Sequence, residues 1–137
     1  HDQSSAASDV YKRQILNDEG IDFIHLSCWN AFKGSISYRN NSKTLTEWFV
    51  TSLNNPPPII STGKVWSHKD AQNLLNQGAD LIGVGRAAIG HPNWASQVEN
   101  INYNPAKPPF SVTELREAML SDVFIDYMRN WEGFVSD

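Results

Sequence analysis

Three short apolar runs set the frame of the chain: Ile21-Asp22-Phe23-Ile24-His25-Leu26-Ser27, Ile59-Ile60-Ser61 and Leu81-Ile82-Gly83-Val84-Gly85. Each is strand-length, and each is separated from the next by a segment with helical start and stop signals. Thr44-Leu45-Thr46-Glu47 is a capping box, with the acidic residue three positions after the cap. Leu45, Trp48, Phe49 and Leu53 then recur at helical spacing until Asn54-Asn55-Pro56-Pro57-Pro58 stops the helix. In the second interval Ser67 is the cap and Asp70 the third helical residue. Ala71, Leu74 and Leu75 are the expected buried stripe, and Gly78 the left-handed C-cap. Strands alternating with capped helices over short connections define parallel βαβ units. The apolar content of Ile21–Ser27 predicts a strand buried on both faces. An open doubly wound sheet and a barrel segment both fit this order, and periodicity does not choose between them.

Beyond Gly85 the pattern changes. A short helix is expected from Arg86 to Gly90, then an extended linker at Asn104-Pro105-Ala106-Lys107-Pro108-Pro109. Ser111-Val112-Thr113-Glu114 is a second capping box. Leu115, Ala118 and Met119 are expected on one apolar face, and Val123, Phe124, Tyr127 and Met128 on another, with Trp131 and Phe134 anchoring the tail. No strand is expected after Gly85. At the other end, His1 to Ser8 are polar and patternless. Asp9-Val10-Tyr11-Lys12-Arg13-Gln14 is the translation of GATGTGTATAAGAGACAG, a transposon end used in sequencing adapters. Residues 1–14 are therefore read as an adapter-derived tail and set aside from the fold.

With 137 residues the chain is long enough for one domain with a core, yet short of the ~250 residues of a complete α/β barrel. A net charge of -4 gives no basic footprint for nucleic acid or an anionic membrane. Cys28 stands alone, which excludes an internal disulfide and a cysteine-based zinc site, and suits a reducing, cytoplasmic setting. No apolar run is long enough for a bilayer span, and the polar N-terminus carries no secretory signal. The histidines show no metal-ligand spacing with carboxylates, so no metal is expected.

The chemistry legible in the residues is phosphate binding. A phosphate is held by inward-pointing backbone N–H groups, a helix start and a fixed cation. Gly63-Lys64 follows the second strand, and Gly85-Arg86 follows the third. Glycine lets the backbone approach closely, and arginine offers paired charge-assisted bonds. Either glycine alone would read as a tight turn, whereas two consecutive strand ends with basic followers favour phosphate. Gly83-Val84-Gly85 is not a dinucleotide fingerprint, because no third glycine follows at the required spacing. His25 is read as a hydrogen-bonded core residue, His68 as solvated and His91-Pro92 as shaping a turn. Cys28, with no positive neighbour in sequence, is read as an inert thiol. Asp22, Asp80 and Asp126 show no carboxylate pairing for acid–base work. Trp48, Trp66, Trp94 and Trp131 are read as packing anchors, and Arg129 as a surface ion-pair residue.

In combination, Pro58-Ile59-Ile60-Ser61-Thr62-Gly63-Lys64, then Gly78-Ala79-Asp80-Leu81-Ile82-Gly83-Val84-Gly85-Arg86, then His91-Pro92-Asn93-Trp94 resemble the old yellow enzyme family. The resemblance is to its bacterial NADH-dependent flavin oxidoreductases above all, and runs from Ile15 to Asp137. It implies the C-terminal part of a TIM (β/α)8 barrel: barrel strands and helices over residues 15–103, and a linker with a helical extension over 104–137. It implies that Gly63, Lys64, Gly85 and Arg86 hold the phosphate of FMN, through the backbone at Lys64. The parent enzyme would pass hydride from NADH or NADPH through FMN to a small electron-poor alkene. No catalytic residue of the family transfers onto this chain, so the piece alone is expected to be inactive. A homo-oligomeric parent stays open. Dihydroorotate dehydrogenases and tRNA dihydrouridine synthases place FMN at similar loops; the lack of a basic surface speaks against the latter. A non-catalytic α/β module is the remaining alternative.

Overall fold

A computed structural model describes residues 12–34, 40 and 42–136. The expectations for residues 1–11, and for part of the polar loop before Thr44, lie outside the described residues. The chain divides into two compact units. One takes the chain to Lys64 together with Asp70–Gly83, and the other comprises Val65–Lys69 and Val84–Asp137.

The first unit is a parallel three-stranded sheet with helices. Helix α1 includes residues 12–18, so residues 12–14 are helical; Arg13 is buried, with its guanidinium 5.1 Å from the Phe49 ring centre. Strand β1 (Ile24–Ser27) pairs with β2 (Ile59–Thr62), which pairs with β3 (Leu81–Gly83). The pairings match Ile24 with Ile59, Ile60 with Leu81, and Thr62 with Gly83. Sequential strands are spatial neighbours, so each crossover steps one strand in the same direction. A doubly wound sheet reverses that order at a switch point, and no reversal occurs in β1–β3.

Helix α2 (Leu45–Ser52) starts as its sequence demands. The Thr44 hydroxyl accepts from Glu47 N at 3.3 Å, and Thr44 N donates to Glu47 Oε2 at 2.7 Å. Its Leu45, Phe49 and Val50 pack on a core of Ile24, Leu26, Leu53 and Ile59. Helix α3 (His68–Asn76) ends in a Schellman motif. Ala79 N donates to Leu74 O, Gly78 N donates to Leu75 O, and Gly78 takes φ +101°. A Cβ on Gly78 would stand 2.8 Å from Val50 Cγ2, so glycine there is required by packing as well as by backbone.

Two expectations of burial fail here for one reason. Strand β1 begins at Ile24 rather than Ile21 and is buried on one face only: Ile24 and Leu26 are buried, His25 and Ser27 exposed. Leu81 is 56% exposed, and Leu75 of the expected stripe is 42% exposed. Apolar composition reports a preference for burial, not which partner is present to supply it. The sheet has one face under α2 and one open face, which carries His25, Ser27, Ile60, Thr62, Leu81 and Gly83 in register. The third strand also stops at Gly83, two residues early, where its partner β2 ends.

The second unit builds its core from helices and aromatics. Helix α4 (Arg86–Gly90) matches its expected limits, and α5 (Trp94–Gln97) follows. Helices α6 (Val112–Glu117) and α7 (Asp122–Met128) enclose Phe110, Leu115, Ile125, Met128 and Phe134. Phe110 meets both His91 and Phe134 edge-on, with centroids 5.6 and 5.4 Å apart. Two corrections concern the helix faces. In α7, Ile125 and Met128 are buried while Val123, Phe124 and Tyr127 face outward. In the α6 segment Met119 is 88% exposed, and Trp131 at the tail is 36% exposed; Phe134 alone of the two expected anchors is buried. A strand absent from the sequence reading also forms: β4 (Phe110–Ser111) pairs in parallel with β5 (Val135–Ser136). Two-residue strands carry no readable period, which is why the pattern missed them.

Candidate functional site: the turns after two parallel strands

Parallel pairing puts the C-terminal ends of β2 and β3 at one edge of the sheet, because Thr62 is opposite Gly83. Ligands of parallel sheets bind at that edge. The turn after β2 is tightly built. Gly63 takes φ +148° and Lys64 φ +58°. A Cβ on Gly63 would stand 2.5 Å from Cys28 O and 2.9 Å from Ala31 N. Ala31 N also donates to Gly63 O at 3.2 Å. The glycine is thus explained by the close approach of residues 28–31 and needs no ligand to account for it. The N–H groups of Gly63 and Lys64, by contrast, have no acceptor among the described residues.

The turn after β3 is different. Gly85 precedes α4 with φ -111° and ψ -100°, without a side-chain cap. A Cβ there would meet nothing within 4 Å, so open space flanks it, and its N–H also has no acceptor among the described residues. Arg86, the first residue of α4, is exposed. In either turn taken by itself, unpaired backbone donors beside an exposed cation are donor chemistry that a phosphate uses.

The other sequence candidates separate clearly. His25 is an exposed residue, not a core one, and its Nε2 is 2.8 Å from Thr62 Oγ1. His68 is half-buried rather than solvated, with Nδ1 2.8 Å from Val98 O, and its backbone N–H donates to Tyr103 O. His91 shapes its turn as expected: its carbonyl accepts from Trp94 N, and Nε2 lies 2.8 Å from Ala106 O. Cys28 is half-buried, and burial pushes its thiol pKa up, which disfavours the reactive thiolate. Arg129 pairs with Asp126 at 3.5 Å. Trp94 is buried and donates Nε1–H to Trp66 O at 2.7 Å. Among the described residues no three His, Cys, Asp or Glu side chains group to hold a metal, and no helix is long and apolar enough to cross a membrane.

Two polar arrangements escaped sequence reasoning. Asp80 Oδ2 accepts from Ile59 N at 2.8 Å while Asp80 N donates to Ile59 O, fastening the start of β2 to the chain entering β3. Thr46 and Ser61, both fully buried, share a 2.7 Å hydroxyl–hydroxyl bond between α2 and β2. A lone aspartate before a strand, and a threonine on a helix, give no signal of partners 21 and 15 residues away.

The sequence has distant similarity to NADH-dependent oxidoreductases, one of them named for a flavin. No family model matches the chain. It is 30% identical over 92 residues to an NADH:fumarate oxidoreductase of Klebsiella pneumoniae (strain 342), covering 65% of the chain and 10% of that protein. It is 28% identical over 88 residues to an NADH:acrylate oxidoreductase of Vibrio harveyi, covering 62% of the chain and 9% of that protein. Over 120 residues it is 22% identical to a Bacillus subtilis (strain 168) protein named "Probable NADH-dependent flavin oxidoreductase YqiG", covering 88% of the chain and 32% of that protein. The chain therefore has distant homologues among NADH-dependent oxidoreductases and spans between about a tenth and a third of their length.

Proposed function

We propose that this chain is the FMN-phosphate-holding part of an NADH-dependent oxidoreductase of old yellow enzyme type, and that its strands form part of a (β/α)8 barrel. The observation that carries the reading is the set of unpaired N–H groups at Gly63, Lys64 and Gly85, in the turns that follow two adjacent parallel strands. Strands in sequential order with one covered face support a barrel segment over a doubly wound sheet. All three relatives are named for NADH, which supports NADH as the hydride donor over NADPH. Fumarate and acrylate, the acceptors in two of those names, are both electron-poor alkenes, which supports that substrate class.

In this reading FMN supplies the hydride-accepting and hydride-donating ring. The Gly63, Lys64 and Gly85 N–H groups donate to its phosphate, and the Arg86 guanidinium neutralises phosphate charge. Lys64 contributes through its backbone, held at φ +58°. The chain binds and orients; it contributes no proton-transfer group, so by itself it lacks turnover. We place it in the cytoplasm with a small-molecule substrate.

Backbone amide NMR tests the reading. Titration with FMN, and with inorganic phosphate alone, is expected to shift the Gly63, Lys64 and Gly85 amides, and Arg86→Ala to weaken that binding by roughly tenfold, one charge-assisted contact. Amides that stay still while FMN binds elsewhere would sink the phosphate assignment. Reduction of an enoate by the chain alone would overturn its role as a holding part.

A further inference from the structure

Helix α7 buries one side and shows another that is as apolar. Ile125 and Met128 enter the core of the second unit, whereas Val123, Phe124, Tyr127 and Trp131 form a stripe along the outside. The stripe is continuous. The ring centres of Phe124 and Tyr127 are 5.7 Å apart, and those of Tyr127 and Trp131 4.8 Å. Val123 precedes Tyr127 by one helical turn, and the backbone keeps turning as far as Trp131, whose N–H donates to Met128 O. Aromatic rings left in water forgo hydrophobic stabilisation, and adjacent exposed rings on one helix mark an interaction surface.

Shape and charge say what covers it. Every charged side chain between Ser121 and Trp131 is ion-paired within the chain: Asp122 with Arg116 at 2.8 Å, and Asp126 with Arg129 at 3.5 Å. The stripe therefore offers no net charge to a strongly acidic or basic partner, and covering it buries no uncompensated charge. Tyr127 stands at its middle, with Phe124 on one side and Trp131 on the other. A face with one ring at its centre and one toward each end reads alike in both directions, so it fits a second copy of itself laid antiparallel. Asp122 is at the N-terminal end of the helix and Arg129 at its C-terminal end. Antiparallel pairing sets these opposite charges at the same end, whereas parallel pairing would set like charges together. Aromatic side chains offer roughly 150–250 Å² each, so at these exposures the stripe amounts to on the order of 400 Å² per copy, about half the share of a standard interface. That area supports a reversible dimer, with a dissociation constant on the order of 100 μM.

We infer that α7 is a self-association surface: two copies of the chain pair antiparallel through Phe124, Tyr127 and Trp131, with Tyr127 facing its own counterpart across the two-fold axis. The inference does not rest on the phosphate assignment, because the stripe lies wholly in α7 and the turn that follows it.

Sedimentation velocity on a concentration series of the chain tests it. A shift from monomer to dimer is expected as concentration rises; a chain still monomeric at about 1 mM overturns the inference, the stripe then belonging to some other partner. Tyr127→Glu sets like charges face to face across the axis, and so does Tyr127→Lys. Each variant alone is expected to dimerise at least roughly tenfold more weakly. An equimolar mixture of the two is expected to recover the dimer, because glutamate then faces lysine. Unchanged dimerisation in both variants overturns the inference, and so does a mixture no stronger than its components. Tyr127 is more than half exposed, so either charge reaches water in the monomer, and circular dichroism checks that the helix is kept. Should a charge unfold it, Tyr127→Ser removes the ring alone and is expected to weaken the dimer roughly tenfold; no weakening overturns the inference. Leu81→Ser, on the open sheet of the first unit, is expected to leave the dimer unchanged. Loss of the dimer there, with Tyr127→Glu still dimeric, assigns the association to the sheet and overturns the inference.

Discussion

The two units solve the burial problem in different ways. The second closes on itself: Phe110, Leu115, Ile125, Met128 and Phe134 form one core, and the helices that supply it also cover it. The first covers one face of its sheet with α2 and leaves the opposite face in water, with Leu81 and Phe23 more than half exposed. Stability is therefore concentrated where side chains are enclosed, and the candidate chemistry where they are not. An uncovered sheet face costs hydrophobic stabilisation.

The largest expected effect tests that asymmetry directly. Phe134→Ala should cost about 3–5 kcal/mol, because a fully enclosed ring leaves a cavity. Leu81→Ala on the open face should cost well under ~1 kcal/mol. Urea unfolding of both variants, followed by tryptophan fluorescence, compares them; equal costs would mean that the open face is covered in solution. Next, Ser61→Ala should cost about 1–3 kcal/mol by leaving the buried Thr46 hydroxyl without its partner. Adding Thr46→Val to it should recover part of the loss, and a double mutant worse than the sum would refute the hydroxyl pair as the cause.

A smaller effect of opposite sign is expected in the second unit. Met119 takes φ +67° at the left-handed position of a Schellman motif closed by Leu120 N to Leu115 O and Met119 N to Arg116 O. Its side chain is exposed, so Met119→Gly removes backbone strain at little packing cost and should stabilise by about 1 kcal/mol. A lower melting temperature would contradict this. The smallest effect is a pH dependence. Hydrogen bonds from Ser111 N and its hydroxyl hold the Glu114 carboxyl below its ordinary pKa. A depressed folded-state pKa means that the stabilisation is present above the unfolded value and is lost as pH falls through the folded one. Glu114→Gln should therefore narrow the gap in stability between neutral and acidic pH, read as melting temperature against pH.

What was legible in the sequence was whatever is local. Both capping boxes, the Gly78 stop and the limits of α4 depend on residues a few positions apart, and the structure has them where the sequence places them. The parallel pairing followed from the spacing between apolar runs, whereas the spatial order of the strands was left open and comes from the structure. What was not legible depends on distant partners. The register that lays His25 over Thr62 joins residues 37 apart, and the Thr46–Ser61 pair crosses from helix to strand. The reason for Gly63 was half-visible: its need for φ +148° belongs to the turn, whereas the 2.5 Å approach to Cys28 O could come only from the fold. Helix faces in the second unit were misread because Ile125, Met128, Val123 and Phe124 are all apolar, and composition alone does not say which pair turns inward.

The short ladder between Phe110–Ser111 and Val135–Ser136 has a consequence for the order of events during synthesis. The residue that seals the aromatic core, Phe134, sits immediately before the strand that clasps it, and Phe110 N is bonded to Phe134 O. Everything the second unit needs, except this clasp, has left the ribosome first. Until residues 134–136 emerge, Phe110 and Leu115 have an unfinished enclosure, although Trp66 and Ile89 already pack against the core. The last-made residues of the unit are thus the ones that close its core.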